Sequence, residues 1–247
     1  MRVCHKRLDV SPEELAQCRE LLNAEERARA DRFHFERHAR RFTVARAFLR
    51  TILGEIIGRP VEFVFSQHGK PALAGGEVEF NLSHSHELAV IAIADTPVGI
   101  DVEQVRPMRD ALAIAKRFFA PDEIEVLERA DDRDRAFFRC WTAKEAYLKA
   151  RAEGIGLLPL DSFSVSEEPA LIRADDDDPH RWTMSRPDVP DGYLCTVALT
   201  KTSTMAEAAA PRATSSAVAR PADSPNRRRR SARRSRPETQ SSASRSR

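Results

Sequence analysis

The chain has 247 residues, 41% of them apolar, and a formal charge of +2 at pH 7, which suits one or two soluble domains with an ordinary core. The longest apolar run, Leu88 to Ala94, is much shorter than the roughly 18 residues that a membrane span requires, so no membrane contact is expected. The four cysteines form no C-x-x-C pair, which favours reduced thiols and a cytoplasmic location.

Helices are predicted in the first part of the chain. Residues 11–14 supply an N-cap serine, a first-turn proline and a capping-box glutamate, so a helix should begin there. A longer helix is predicted over about 39–57, because apolar residues recur at helical spacing until Gly58. Eight arginines and two acids lie within 27–50, which indicates either a solvated basic face or a surface for a polyanionic ligand.

The pattern changes to strands after residue 60. Apolar residues alternate over 61–65 and 78–82, and 88–94 is continuously apolar. An extended pattern resumes at 98–102 after the breaker residues 95–97. We therefore predict that 88–94 and 98–102 form a hairpin with a short loop.

A second series of helices and strands follows. Because helices followed by strands occur twice, we predict an α+β fold of two similar halves related by a pseudo-twofold, residues 1–100 and 101–201. The later elements are predicted as helices at about 110–119, 121–130 and 134–152 and as short strands at 163–165, 170–172, 181–184 and 193–199.

The end of the chain differs in composition from the rest. Residues 203–247 carry 11 arginines and three acids, a charge of +8, whereas the preceding residues carry −6. Large apolar side chains are too few there to offset the conformational entropy of folding. Residues 202–247 are therefore predicted to be a disordered tail.

Acidic and basic side chains share faces on two predicted elements. Asp101 and Glu103 are two apart on a strand, so both leave the same face. Their repulsion would be relieved by a divalent cation, although an exposed polar strand face is the alternative. Glu145 and Lys149, four apart on a helix, belong either to a site or to a surface ion pair.

Two further polar segments precede these elements. Lys70 lies in the constrained turn 69–71, where it is suited to present an ammonium to phosphate. Ser83 and His84 lie within the polar segment 81–86, directly before the buried run, and polar groups that enter a core need partners or a ligand. No cysteine or third histidine completes a zinc motif nearby.

Taken together, these segments resemble the Sfp-type 4′-phosphopantetheinyl transferases over roughly residues 10–200. Further similarity lies at 115–119 and 154–163. The four blocks that carry the resemblance stand in the family's order: Gly69-Lys70-Pro71-Ala72-Leu73, Phe80-Asn81-Leu82-Ser83-His84-Ser85, Val98-Gly99-Ile100-Asp101-Val102-Glu103, and Phe138 with Trp141-Thr142-Ala143-Lys144-Glu145-Ala146-Tyr147-Leu148-Lys149.

The resemblance implies a Mg²⁺-dependent enzyme that transfers the phosphopantetheine arm of coenzyme A to a serine of an apo acyl, peptidyl or aryl carrier protein. It implies that Asp101, Glu103 and Glu145 ligate Mg²⁺. Lys149 and His84 would stabilise charge on the phosphates. Glu145 would take the serine proton, either directly or through a metal-bound water.

The resemblance also implies a set of coenzyme A contacts. Lys149 would meet the phosphates, Ser83 and His84 the nucleotide end, and Lys70 the approach to the cleft. The arginine-rich region contains no fixed motif, so its phosphate contacts are assigned by position alone. These are Arg37 and Arg41, and after them Arg29.

Two other functions are compatible with single features. A metal-dependent phosphohydrolase would use the same carboxylates on water instead of a serine. A nucleic-acid-binding protein would use the cluster at Arg227 to Arg230, but no base-reading module accompanies it. We favour a monomeric transferase, with nucleic acid at most a secondary contact of the tail.

Overall fold

A computed structural model describes residues 1–66, 69–152 and 158–201. The motif at 154–157, the tail predicted at 202–247 and its arginine cluster at 227–230 lie outside these ranges. Within them, no helix combines the length and the apolar character needed to cross a membrane.

The first part of the fold is a three-stranded antiparallel sheet covered by helices. Its central strand is the apolar run predicted at 88–94, flanked by one strand on each side. The sheet order is β1–β5–β4, and β2 and β3 form a separate pair. The elements are β1 (Arg2–Arg7), α1 (Pro12–Glu20), α2 (Ala24–Asp31), α3 (Glu36–Ile57), β2 (Phe63–Phe65), β3 (Pro71–Leu73), β4 (Glu79–Ser85) and β5 (Leu88–Ala94).

The second part repeats this order: a strand, helices, a short strand pair and two further strands. Its sheet order is β6–β10–β9, with the last strand again in the centre. This repeat confirms the predicted α+β fold of two similar halves, whereas a division at residue 100 stays a prediction. The elements are β6 (Val98–Gln104), α4 (Ala111–Phe118), α5 (Pro121–Arg129), α6 (Arg133–Ala150), β7 (Phe163–Val165), β8 (Leu171–Ala174), β9 (Trp182–Ser185) and β10 (Tyr193–Thr200).

The predicted hairpin of 88–94 with 98–102 is wrong. β5 pairs with β1 and β4, and β6 pairs with β10. Because both edges of β5 are occupied, residues 95–97 carry the chain into the second sheet instead of back along the first. Neither β1 nor α2 is evident from the sequence pattern, because both are mostly polar and lack a clear apolar period.

A glycine sets how closely α6 approaches β6. A Cβ on Gly99 would overlap the carbonyl oxygen of Ala146 and the backbone nitrogen of Ala150. The helix backbone therefore rests directly on the strand, and only glycine leaves room for it. This contact places the last turns of α6 above the strand that carries Asp101 and Glu103.

Gly99→Ala is expected to destabilise the protein by about 1 to 3 kcal/mol, because the added methyl group must push a helix backbone away. Gly54→Ala in α3 is a matched control, since its methyl group would meet its nearest neighbour, the oxygen of Arg59, at an ordinary 3.6 Å. The control should hold or gain stability because alanine favours helices. Urea unfolding measures both changes, and equal midpoints for the two variants would contradict the packing argument.

Candidate active site

The two sheets meet at a junction between β4 and β6, which is made by side chains. Ser83 Oγ donates to Asp101 Oδ1 at 2.8 Å, and Ser85 Oγ donates to Glu103 Oε2 at 2.7 Å. Asn81 Oδ1 accepts a hydrogen bond from the backbone of β6 at 2.9 Å. Alternate residues of β4, at 81, 83 and 85, thus reach β6, as the two-residue period of a strand requires.

The helix α6 adds a cation to this junction. Lys149 Nζ lies 2.5 Å from Asp101 Oδ1 and 3.2 Å from Ser83 Oγ. The structure therefore brings together three side chains that are predicted site residues and that come from three separate elements.

Glu145 lies one turn before Lys149 and is buried. Burial raises the pKa of Glu145, Lys149 lowers it, and the charges of Asp101 and Glu103 raise it; together they bring it to about 6. Burial also raises the pKa of Asp101, again against the effect of Lys149. The three carboxylates therefore act on one another electrostatically, while Lys149 pairs with Asp101 and the guanidinium of Arg106 lies 3.5 Å from Glu103 Oε2.

Two carboxylate oxygens in this group are buried without a hydrogen-bond partner in the described structure, Asp101 Oδ2 and Glu145 Oε1. Such oxygens are costly unless a cation or donor meets them. Within the described ranges, no three His, Cys, Asp or Glu side chains form a group that could hold a metal ion as they stand. The donor chemistry nevertheless fits a hard divalent cation, and ligation by Asp101, Glu103 and Glu145 stays a prediction.

A cavity of about 350 Å³ adjoins the junction. Asp101, Glu103 and Glu145 are not among its lining residues, but the two side chains that bond Asp101 are. Another cavity, about 470 Å³, is lined by residues of α5, α6 and the β7–β8 turn and includes none of the predicted site residues. The smaller cavity is lined by Arg29, Phe42, Ala45, Arg46, Leu49, Pro71, Asn81, Leu82, Ser83, His84 and Lys149.

His84 lies in the wall of this cavity and keeps contact with solvent. Surrounding protein partly desolvates its ring, which lowers the pKa of His84, and the positive charges of Lys149 and Arg41 lower the pKa further. The imidazole is therefore neutral at pH 7 and can both donate and accept a hydrogen bond.

Lys70 is placed elsewhere. Its ammonium donates to the backbone oxygen of Lys149 at 2.8 Å and lies 3.5 Å from that of Val98, and burial lowers the pKa of Lys70. It is not among the residues that line the cavity. In this arrangement Lys70 ties the end of α6 to the start of β6, where a cation also suits the negative end of the helix dipole.

Two of the three predicted arginine contacts, Arg37 and Arg41, also lie outside the cavity lining. Arg37 is exposed, with its guanidinium 5.3 Å from the ring centre of Phe35. Arg41 donates to Glu87 Oε1 through Nε at 3.1 Å and Nη2 at 2.5 Å. Arg29, the third of the arginines assigned by position alone, does line the cavity.

Arg46 was not predicted, although it lies in the cavity wall. Only 9% of the residue is exposed, and its Nε and Nη1 have no hydrogen-bond partner in the described structure. Its contact with Glu26 is a loose 3.6 Å, and burial lowers the pKa of Arg46. The sequence did contain a signal for this placement. Residues 42, 45, 46 and 49 recur at helical spacing and therefore share one face of α3, the face that lines the cavity.

Two family sequence models match this chain. One, described as 4′-phosphopantetheinyl transferase, N-terminal, matches residues 8–96. The other, described as 4′-phosphopantetheinyl transferase superfamily, matches residues 97–198. Together they extend over both halves of the fold.

Curated relatives agree with these matches. The chain is 45% identical to the 4′-phosphopantetheinyl transferase HetI of Nostoc sp. over 177 residues, 67% of this chain and 75% of the relative. It is 32% identical to a 4′-phosphopantetheinyl transferase of Bacillus subtilis over 194 residues, 69% of this chain and 85% of the relative. A solved holo-[acyl-carrier-protein] synthase of Thermotoga maritima is similar with a TM-score of 0.36 and 20% identity, covering 43% of this chain and 63% of that one.

Glu145→Gln is expected to stabilise the protein above about pH 6 in metal-free buffer, by about 2 kcal/mol at pH 8. The pKa of about 6 in the folded state lies above the ordinary 4.5, so the ionised carboxylate destabilises the folded state above pH 6. That cost fades as the pH falls and is absent below 4.5.

Denaturant midpoints of both proteins between pH 4.5 and 8, with EDTA present, measure this effect. Glu125→Gln, an exposed change on α5, is the control and should show no such pH dependence. A stability difference that stays constant across the pH range would contradict the electrostatic cause.

Proposed function

The chain belongs to the 4′-phosphopantetheinyl transferase superfamily, and from this membership and the site geometry we propose how its residues perform the reaction. The enzyme transfers the 4′-phosphopantetheine group of coenzyme A to a serine of an acyl, peptidyl or aryl carrier protein, converting apo to holo carrier. One observation supports the residue assignment most directly: Ser83, Asp101 and Lys149 meet at the wall of a cavity, between the two halves.

In the proposed arrangement the reacting pyrophosphate lies beside Lys149. Its ammonium lies 2.5 Å from Asp101 Oδ1. Ser83 and His84 line the same side of the cavity and would contact the neighbouring part of the nucleotide. A phosphate would then replace Asp101 as the ion-pair partner of the Lys149 ammonium.

The three carboxylates Asp101, Glu103 and Glu145 would hold Mg²⁺. Support comes from the unpartnered buried oxygens of Asp101 and Glu145 and from the raised pKa of these two residues, to which burial contributes most and neighbouring carboxylates add. When bound, this ion would polarise the pyrophosphate oxygens and neutralise developing charge.

Glu145 is the proposed general base. In the metal-free site its pKa of about 6 leaves Glu145 largely ionised at neutral pH, the form that a proton acceptor requires. It would take the proton of the carrier serine hydroxyl as the serine oxygen forms its bond to phosphorus. The bond from that phosphorus to the bridging oxygen then breaks, and Lys149 stabilises the departing 3′,5′-adenosine diphosphate.

The arginines of the cavity would bind the other anionic group of coenzyme A. Since the pyrophosphate lies beside Lys149, the 3′-phosphate of the ribose is left for Arg46 and Arg29 on the α2–α3 side. A guanidinium with unpaired donors suits a phosphate particularly well. Lys70 would act indirectly, by holding the end of the helix that carries Lys149.

We propose that the protein is cytoplasmic. All four cysteines are free, which supports a reducing cytoplasmic environment. We also propose a monomer, with halves near 1–100 and 101–201 and a tail that makes at most secondary nucleic-acid contacts.

Asp101→Asn is expected to lower transfer at least on the order of a hundredfold, because it removes one metal-binding charge and the partner of Lys149. It should also abolish the rise in melting temperature that Mg²⁺ produces in the unaltered protein. Intact mass of an apo carrier incubated with coenzyme A, and thermal unfolding with and without Mg²⁺, measure the two effects.

Asp161→Asn, an exposed acid away from the junction, is the matched control and should keep both properties. Full transfer by the Asp101→Asn protein, or full transfer by the unaltered enzyme in excess EDTA, would contradict the metal assignment.

Arg46→Ala is expected to raise KM for coenzyme A by roughly tenfold or more, as loss of a charge-assisted contact implies. It should change KM for 3′-dephospho-coenzyme A far less, because that substrate lacks the group that Arg46 would bind. Arg59→Ala, which removes an exposed arginine paired with Glu77, is the control. Equal losses on both substrates would show that Arg46 does not recognise the 3′-phosphate.

A further inference from the structure

An ion pair at the edge of the cavity is not used by the mechanism above. Glu87 lies in the tight turn between β4 and β5, directly after His86, whose φ is +50°. Its Oε1 accepts two hydrogen bonds from Arg41 and lies 3.9 Å from Arg40. The side chains of Arg41 and Glu87 are only 20% and 24% exposed, so water screens this pair less than a surface pair.

The position of Arg41 on α3 places it beside the cavity. It precedes Phe42 and lies one turn before Ala45, and both of these residues line the cavity. Its charge also reaches His84 in the cavity wall strongly enough to lower the pKa of that residue. Arg41 is nevertheless absent from the lining, because its guanidinium points to Glu87.

The pairing around Glu87 is incomplete. Glu87 Oε2 and Arg40 Nε are buried without a hydrogen-bond partner in the part of the chain that the structure describes. Glu87 Oε1 thus accepts from Arg41 and lies near Arg40, whereas Oε2 accepts a hydrogen bond from neither arginine. A phosphate, with more oxygens and a larger charge, would satisfy a guanidinium better than this carboxylate does.

We infer that Glu87 is a positioning residue that sets the affinity for coenzyme A by competing with a coenzyme phosphate for the guanidinium of Arg41. The inference rests on the proposed coenzyme site in the cavity. Without coenzyme, Glu87 holds Arg41 outside the cavity; with coenzyme, Arg41 exchanges the carboxylate for the phosphate. Coenzyme binding is therefore weakened by the ion pair that it must break.

A double-mutant cycle tests this competition. Glu87→Gln keeps the shape of the side chain but removes its charge, so it should lower both KM and Kd for coenzyme A roughly two- to fivefold, the range of a partly exposed ion pair. The gain should be confined to KM rather than kcat. Arg41→Ala should raise KM and Kd, and the double variant should bind like Arg41→Ala alone, because Glu87 acts only through Arg41.

Glu167→Gln is the matched control. It breaks a more exposed ion pair with Arg139, away from this cavity, and should leave Kd unchanged. Calorimetric titration with coenzyme A measures Kd for all five proteins, and melting temperatures confirm that each is folded.

The outcomes separate the inference from the function on which it rests. A gain from Glu87→Gln that persists in the Arg41→Ala background would overturn the inference, because simple relief of charge repulsion would explain it. Unchanged affinity in Glu87→Gln would overturn it as well, while leaving the coenzyme site intact. If the unaltered protein failed to bind coenzyme A, the proposed site itself would fall, and the inference with it.

Discussion

The buried carboxylate of Asp101 is the interaction on which the rest of the structure depends. β4 and β6 belong to different sheets, so no backbone ladder joins them, and side chains must make the connection. Asp101 accepts from Ser83 on one strand and pairs with Lys149 on the helix above, and it is almost completely buried. A charge in this position requires partners, and those partners tie three elements together.

Because buried Asp101 needs Lys149 as its partner, other contacts hold α6 close to β6. Gly99 allows the helix to rest on β6, and Lys70 holds its last turn through the carbonyl of Lys149. On the opposite face, the fully buried Lys144 pairs with Glu123 at 2.8 Å and donates to the carbonyl of Phe163 at 2.7 Å. The two lysines of this motif thus make different contacts, because residues 144 and 149 lie on different faces of the helix.

Charge distribution gives the site its chemistry. Three carboxylates with the ammonium of Lys149 and the guanidinium of Arg106 leave excess negative charge at the junction. The cavity beside it presents the guanidinium groups of Arg29 and Arg46. A ligand that is itself a polyanion can use the cavity arginines directly, but it can approach the carboxylates only together with a cation. The cavity side of this arrangement therefore suits a substrate that carries several phosphates.

The sequence by itself determined the repeated order of helices and strands, the shared strand face of Asp101 and Glu103, and the shared helix face of Glu145 and Lys149, because these follow from periods of 3.6 and 2 residues. Only the tertiary structure decided that β5 pairs with β1 instead of β6. It also decided the contacts of three long side chains: Lys70 bonds a helix terminus, Arg41 pairs with Glu87, and Arg46 faces the cavity. Strand partners and the ends of long side chains are chosen by residues distant in the sequence. Local periodicity carries no information about such contacts, since burial and charge pairing settle them only when the chain is folded.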